Sequence, residues 1–241
     1  MDKAENQTAS AAKQPAGLEG VVAAQSSVGD VDGIRGVLIY QGLNIHDLAE
    51  HSTFEETVFL LWHGRLPVRE ELDELRRALA ANQRLPGEVL ALMREFPRDC
   101  EPMDALRTAV SALSFYDPQS RDLSREGALR TATKLTAQLP VVVAAFERLR
   151  NGKEPVEPRD DLNIATNFLY MLRGETPSER EAHIFDVCLI LHADHELNAS
   201  TFTARVVAGT LADMYGAVTG AIAALSGPLH GGANTNVMKM L

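Results

Sequence analysis

Residues 52–64, STFEETVFLLWHG, carry the clearest local signal of fold class. Thr53 and Glu56 have the S/T-x-x-E spacing of a capping box, which begins a helix. Gly64 is the kind of residue after which a helix ends. Between them, apolar side chains recur at i, i+4, i+7 and i+8, the helical period. The stretch therefore predicts an amphipathic helix with one buried face, formed by Phe54, Val58, Leu61 and Trp62.

The same apolar period recurs through most of the chain that follows. Each stripe predicts a further helix with one face in the core. Proline at the first helical position, as at Pro86, favours such a helix start. The stripes are Leu72, Leu75 and Leu79; Val89, Met93 and Phe96; Met103, Leu106, Val110 and Leu113; a long helix ending at Leu149; and residues 162–173.

Two prolines predict where one helix bends or breaks and where another begins. Pro140 lies inside the long helix, where it removes a backbone donor and clashes one turn back. It predicts a kink near Gln138 or two abutting helices. Further along, Thr176, Pro177 and Glu179 fit the N-cap, N1 and N3 positions of the next helix.

Residues 19–42 differ from the rest, because short β-branched pieces alternate with turn signals. Val21-Val22 and residues 37–40 have strand character, and Gly29-Asp30 and Asp32-Gly33 have turn character. This pattern predicts a small hairpin or ribbon. The expected fold class is all-α, multi-helical, with a short N-terminal β-ribbon. Residues 1–17 are expected to be a flexible tail.

Charge and composition limit the kinds of partner. The 241 residues carry 23 basic and 33 acidic side chains, a net charge of −10. Such a field repels phosphate backbones and anionic lipid headgroups, so we expect neither nucleic acid nor a membrane as partner. Two cysteines, Cys100 and Cys188, are too few for a disulfide framework. They indicate reduced thiols in a cytoplasmic protein, with Cys188 in the core.

Residues 200–225 are rich in alanine and glycine. Small side chains let helix backbones approach closely. We therefore expect this region to form either the deepest core or a subunit interface built of helices.

Two histidines, His192 and His195, lie in LHADHE at the expected end of a helix, where they would share a face. Helical zinc motifs need His at i, i+4 with a Glu between them, or the HxxEH order. HADHE has neither spacing, and the sequence offers no obvious third ligand nearby, so no metal site is expected. The alternative is that one histidine satisfies free carbonyls at the helix end.

A third histidine, His230, lies between Gly227-Pro228 and Gly231-Gly232. Glycines allow close approach of a ligand and leave the imidazole exposed. The following ANTNVMKM, residues 233–240, could begin a helix whose free N–H groups favour an anion. A plain turn histidine remains the alternative.

Six blocks, in order, resemble the bacterial citrate synthase family: GLEGVVAAQSSVGDVDG, GVLIYQG, STFEETVFLLWHGRLP, PMDALRTAVSAL, LHADHELNASTFTARV and GPLHGGAN. The resemblance runs from about Gly17 to the end. It implies a citrate-synthase-like large helical domain over residues 18–229 and the start of a smaller domain over 230–241. It also implies a homodimer that condenses acetyl-CoA with oxaloacetate to give citrate and CoA, without a metal or redox cofactor.

The resemblance assigns roles residue by residue. His230 matches the catalytic histidine that stabilises the enol oxygen of acetyl-CoA. His195 matches the histidine that contacts oxaloacetate, and His192 and Asn198 belong to the same substrate-binding block. The family's catalytic aspartate, second catalytic histidine and substrate arginines would lie beyond Leu241. The resemblance thus implies a truncated chain that is inactive alone.

Three alternatives stay open at this point. A 2-methylcitrate synthase would use propionyl-CoA, and one methylene is worth only about 1–3 kcal/mol of discrimination. A non-catalytic helical subunit could be completed by a second chain. Zinc-dependent hydrolysis would use His192 and His195.

Overall fold

The computed structural model describes residues 24–231. Within that range the chain forms a small sheet followed by helices, which confirms the predicted class. The elements are β1 (Gly29–Asp32), β2 (Val37–Tyr40), β3 (Leu43–Asn44), α1 (Ile45–His51), α2 (Phe54–His63), α3 (Arg69–Asn82), α4 (Gly87–Arg94), α5 (Pro102–Leu113), a 3-10 turn (Ser114–Tyr116), α6 (Arg125–Arg150), α7 (Ile164–Arg173), α8 (Glu179–Leu191), α9 (Ala199–Gly209) and α10 (Met214–Leu225). The expected tail and most of residues 230–241 lie outside the described residues.

The N-terminal ribbon is an antiparallel sheet in the order β1-β2-β3. Gly29 pairs with Tyr40, and Asp32 pairs with Val37. Gly29-Asp30 is therefore part of a strand, and its expected turn role is wrong, because its backbone pairs with β2. The turn follows Asp32, whose Oδ1 accepts from the backbone N–H of Ile34 and Arg35 at 3.0 and 2.9 Å. Val21-Val22 lies outside the described residues.

Two helix starts show how well the local sequence predicts where a helix begins. The capping box of Thr53 and Glu56 is confirmed at the start of α2. The expected N-cap at Thr176 is wrong, because α8 begins at Glu179 with Ser178 as its N-cap. The Glu181 carboxylate accepts from the Ser178 backbone N–H at 2.9 Å, so this later capping box determines where the helix starts.

Pro140 lies inside α6, which runs as one helix from Arg125 to Arg150. The alternative of two abutting helices is therefore wrong. Leu135 and Ala137 before the proline are buried, and so are Val141 and Val142 after it. This burial on both sides outweighs the missing backbone hydrogen bond and keeps the helix continuous.

The largest core cluster lies between α4, α5, α6 and α10. It confirms the predicted inward positions of Val89, Met93, Val110 and Leu113, which are all buried. Phe96, Met103 and Leu106 pack at its edge and are partly buried.

A buried carboxylate ties the turn before α6 to this core. Asp117, 4% exposed, accepts from Lys134 Nζ at 2.7 Å, Tyr215 OH at 3.0 Å and the Gln119 N–H at 3.1 Å. Burial alone would raise the pKa of Asp117, but these hydrogen bonds together hold it below its ordinary value. Burial, and then Asp117, raises the pKa of Tyr215.

The small-residue region forms α9 and α10, which pack against each other. A Cβ on Gly220 would lie 3.3 Å from Val207 Cγ2, so the glycine permits this close approach. Helix α10 buries Tyr215 and two other residues, whereas α9 buries none. The deepest-core alternative is therefore wrong for α9.

Cys188 is exposed, so its expected place in the core is wrong. Helix α8 turns Asp186 and Ile190 inward, four residues apart, which leaves Cys188 on the outer face. Both cysteines are free thiols. No helix in residues 24–231 combines the length and apolarity needed to cross a bilayer.

Candidate active site

The sheet holds the HADHEL segment, residues 192–197, that joins α8 to α9. Tyr40 in β2 is fully buried, and its hydroxyl donates to the Ile190 carbonyl at 3.1 Å. The same hydroxyl accepts from the Asp194 N–H at 3.2 Å. In β1, the Val31 N–H donates to Glu196 Oε1 at 2.8 Å. The ribbon therefore fixes the backbone that carries two of the candidate histidines.

The two histidines of this segment lie beyond the end of α8. The helix ends at Leu191, so the expected shared helical face of His192 and His195 is wrong. His192 is the C-cap, and its Nδ1 lies 2.8 Å from the Cys188 carbonyl oxygen. This contact confirms the alternative in which one of the pair satisfies a helix-end carbonyl. The two rings have centroids 6.2 Å apart, and both side chains are exposed.

Within residues 24–231 no three His, Cys, Asp or Glu side chains converge as a metal site would need. The zinc alternative therefore finds no third ligand among the described residues.

His230 lies in the turn after α10, over the first turn of α9. Its Nε2 is 3.1 Å from Ser200 Oγ, which in turn lies 2.7 Å from Asn198 Oδ1. Asn198 is the N-cap of α9, since its Oδ1 accepts from the Thr201 N–H at 3.0 Å. The structure thus brings His230 and Asn198 together through Ser200. Sequence reasoning missed Ser200, although it lies inside the HADHELNAST block.

Glycine is required at the next position. A Cβ on Gly231 would lie 2.4 Å from Leu225 Cδ1 and 2.6 Å from the Leu225 carbonyl oxygen. The turn therefore folds back onto the end of α10, and this places the His230 ring beside α9. The helix expected over residues 233–240 lies outside the described residues.

A pair of buried carboxyl groups, Glu55 and Asp186, anchors the starts of α7 and α2. Glu55 is 1% exposed, and its Oε1 accepts from the Ile164 N–H at the start of α7 at 2.9 Å. Both oxygens of Asp186 lie 3.3 Å from the Phe54 N–H at the start of α2. Burial, and then the charge of Glu55, raises the pKa of Asp186 to about 6. Sequence patterns gave no sign of this pair.

A cavity of about 740 Å³ lies elsewhere, among α3, α6 and α7. Neither the candidate histidines nor Asn198 line it. One of its polar lining residues, Asn167, donates to Gln83 Oε1 at 2.9 Å and to the Arg159 carbonyl at 2.8 Å. Volume alone therefore does not identify the candidate active site.

Crystal structures of citrate synthases share this helical fold. The crystal structure of citrate synthase from Pyrobaculum aerophilum matches with a TM-score of 0.87 and 40% identity, over 98% of this chain and 62% of that one. The family model described as citrate synthase, C-terminal domain, matches residues 17–241. The chain belongs to the citrate synthase family.

Two curated relatives are similar in sequence to this chain over most of its length. Citrate synthase 2 of Bacillus subtilis (strain 168) is 53% identical over 226 residues, which are 93% of this chain and 60% of that protein. The 2-methylcitrate synthase of Mycobacterium tuberculosis (strain ATCC 35801 / TMC 107 / Erdman) is 43% identical over 222 residues, 92% of this chain and 56% of that protein. The chain thus spans about 60% of the length of the curated relatives it matches.

Proposed function

We propose that this chain forms part of an enzyme that condenses acetyl-CoA with oxaloacetate. A base removes a proton from the acetyl methyl group, and the resulting carbon attacks the keto carbon of oxaloacetate. Water then cleaves the thioester, giving citrate and free CoA. Membership of the family supports the proposal, and the contact of His230 with Ser200 is the single observation in the fold that carries it.

In this proposal His230 donates a hydrogen bond to the enol oxygen that forms as the methyl proton leaves. The Ser200 hydroxyl has one proton and two acceptors within reach, Asn198 Oδ1 and His230 Nε2. The hydroxyl donates to Asn198 Oδ1 as it stands; in the proposal it turns to donate to Nε2, and a neutral imidazole must then carry its own proton on Nδ1. Nδ1–H is then the donor, and one such donor contributes about 10²–10³-fold to turnover.

The HADHEL segment supplies the proposed oxaloacetate contacts. His195 is exposed on a backbone that the sheet fixes, so its ring can meet a bound carbonyl. His192 is held through Nδ1 by the Cys188 carbonyl, which leaves Nε2 directed away from α8. The Asn198 oxygen already caps α9, so Asn198 shapes the pocket rather than polarising the substrate.

The condensation also needs a carboxylate base and arginines that bind the carboxylates of oxaloacetate. We assign these groups to sequence that the longer relatives have and this chain does not, in a longer polypeptide or in a second chain. The 241 residues alone are then expected to be inactive. The non-catalytic partner subunit remains the second candidate, because its completing chain would supply the same groups.

For the acyl donor we propose acetyl-CoA rather than propionyl-CoA. The relative named citrate synthase 2 is 53% identical, against 43% for the one named 2-methylcitrate synthase. The reaction moves protons and forms one carbon–carbon bond, so no metal or redox cofactor is proposed.

We further propose a cytoplasmic homodimer that buries α9. This helix has no buried residue within the chain, and Val206 and Leu211 nearby are 57% and 77% exposed. Burial of such side chains is worth about 1.5–3 kcal/mol each, which favours a second copy on this face. The free thiols of Cys100 and Cys188 fit a reducing compartment.

A binding measurement tests the proposed contact of His195 with oxaloacetate and does not require turnover. In a chimera that joins residues 1–241 to the part of Bacillus subtilis citrate synthase 2 that they do not match, which would supply the proposed arginines, His195→Ala should weaken oxaloacetate binding by about tenfold, as expected for one lost polar contact to a charged ligand. His46→Ala on α1, an exposed position outside this segment, is the control and should bind as the unaltered chimera does. Equal oxaloacetate affinity for both variants in isothermal titration calorimetry would contradict the assignment of His195.

A further inference from the structure

A small basic pocket lies at the carboxyl end of α6, away from the candidate active site. Its volume is about 210 Å³, and its floor includes Phe96 and Phe146. Four basic residues and a single acidic one, Glu154, line it. The basic residues are Arg94, Arg98, Arg150 and Lys153. The lining of this pocket therefore has a positive net charge, although the whole chain has a net charge of −10.

Carboxylates neutralise only part of this charge. Arg94 pairs with both oxygens of Glu154, at 3.0 and 2.6 Å. Arg150 lies 3.8 Å from Glu147, a longer and weaker ion pair. Arg98 and Lys153 form no ion pair with the residues that the structure describes. Two basic residues that line the pocket therefore have no carboxylate partner in this part of the chain.

The turn after α6 brings Lys153 and Arg98 to the same pocket. Gly152 has a φ of +70°, a conformation that favours glycine. A Cβ there would lie 3.5 Å from Arg98 Nη1, so the guanidinium rests against the turn. The backbone of the next residue, Lys153, is fixed by its N–H, which donates to the Arg148 carbonyl at 2.8 Å. The turn therefore fixes the backbone of Lys153 and lies beside the Arg98 guanidinium.

We infer that this pocket binds the phosphate or diphosphate group of a small molecule. The planar guanidinium of Arg98 matches the geometry of phosphate oxygens, and Lys153 adds a point charge. A volume of about 210 Å³ is below the roughly 300–1,000 Å³ of pockets that enclose a whole drug-sized ligand. The pocket therefore holds the anionic group, and the rest of the ligand extends into solvent. This inference is independent of the proposed function.

Titration calorimetry with inorganic pyrophosphate and with inorganic phosphate, at ionic strength held constant with KCl, tests the pocket. The double variant Arg98→Gln, Lys153→Gln should bind pyrophosphate at least ~10-fold more weakly than the unaltered chain. The double variant Arg35→Gln, Arg69→Gln has the same net charge and is the control. These arginines are 82% and 80% exposed and do not line the pocket, so the control should keep the original affinity.

A variant that gains affinity excludes misfolding as the explanation. Glu154→Gln removes the acidic residue of the pocket and frees Arg94, so pyrophosphate should bind about threefold or more tightly. Equal affinity in the unaltered chain and the Arg98, Lys153 variant would overturn the inference. Weaker binding by Glu154→Gln, or equal losses in the two double variants, would overturn it as well, since only overall charge would then matter.

Discussion

Asp186→Asn should make the protein more stable at neutral pH. Asp186 is 6% exposed, and burial followed by the charge of Glu55 raises its pKa from 3.8 to about 6. His183 and Arg76 act in the opposite direction without cancelling the increase. Above pH 6 the folded protein must therefore hold an ionised carboxylate at a site that favours the neutral acid.

The size of the effect follows from the pKa difference. About two pKa units correspond to about 3 kcal/mol of the free energy of unfolding. Because the folded-state pKa is the higher one, this contribution is complete below pH 3.8 and is lost as the pH rises through 6. Asparagine stays neutral and can still accept from the Phe54 N–H through its amide oxygen. The variant should thus gain up to about 3 kcal/mol at pH 7.5 and little at pH 4.

Urea unfolding followed by circular dichroism at pH 4, 6 and 7.5 measures this difference. Glu74→Gln, on the exposed face of α3, removes one acidic charge without a buried site and should show no such pH-dependent gain. If Asp186→Asn destabilises the protein equally at pH 4 and pH 7.5, folding does not raise the pKa of Asp186 and the reasoning is refuted.

Two other substitutions test buried hydrogen bonds in the core and beside the candidate active site. Asp117→Ala leaves Lys134 and Tyr215 without their buried partner and should cost about 3–5 kcal/mol in the free energy of unfolding by urea; a loss below about 1 kcal/mol would contradict the buried network. Tyr40→Phe removes the hydroxyl that accepts from the Asp194 N–H and should cost about 1–3 kcal/mol, with weaker oxaloacetate binding in calorimetry when the chain is completed by the unmatched part of the Bacillus subtilis relative. Unchanged stability and unchanged binding would show that the sheet does not support the HADHEL segment.

Local patterns predicted the helices well where one interpretation was available. The spacing of Thr53 and Glu56 offered a single capping box, and α2 begins there. At the start of α8 two boxes overlap, Thr176 with Glu179 and Ser178 with Glu181. Sequence alone could not choose between them, because the choice depends on contacts that form in the folded chain. One is the ion pair of Glu181 with Arg173, the last residue of α7.

The site was harder to predict because its contacts join distant residues. His230 and Ser200 are 30 positions apart, and Tyr40 reaches Ile190 across 150 positions. The family resemblance pointed to the histidines but not to Ser200, which only the fold brings against His230. Likewise, Asp186 is buried because α8 packs against α2, and no periodicity in α8 marks it as different from an exposed carboxylate.

The central claim is that His230 stabilises the enol oxygen in a citrate-forming condensation. Its most direct test joins residues 1–241 to the part of Bacillus subtilis citrate synthase 2 that they do not match, a relative 53% identical over the shared region. Release of CoA thiol from acetyl-CoA and oxaloacetate is then compared for the chimera, His230→Ala and the control His46→Ala. We predict turnover by the chimera and by His46→Ala, and a loss of about 10²–10³-fold in kcat for His230→Ala. Full turnover by His230→Ala would contradict the claim.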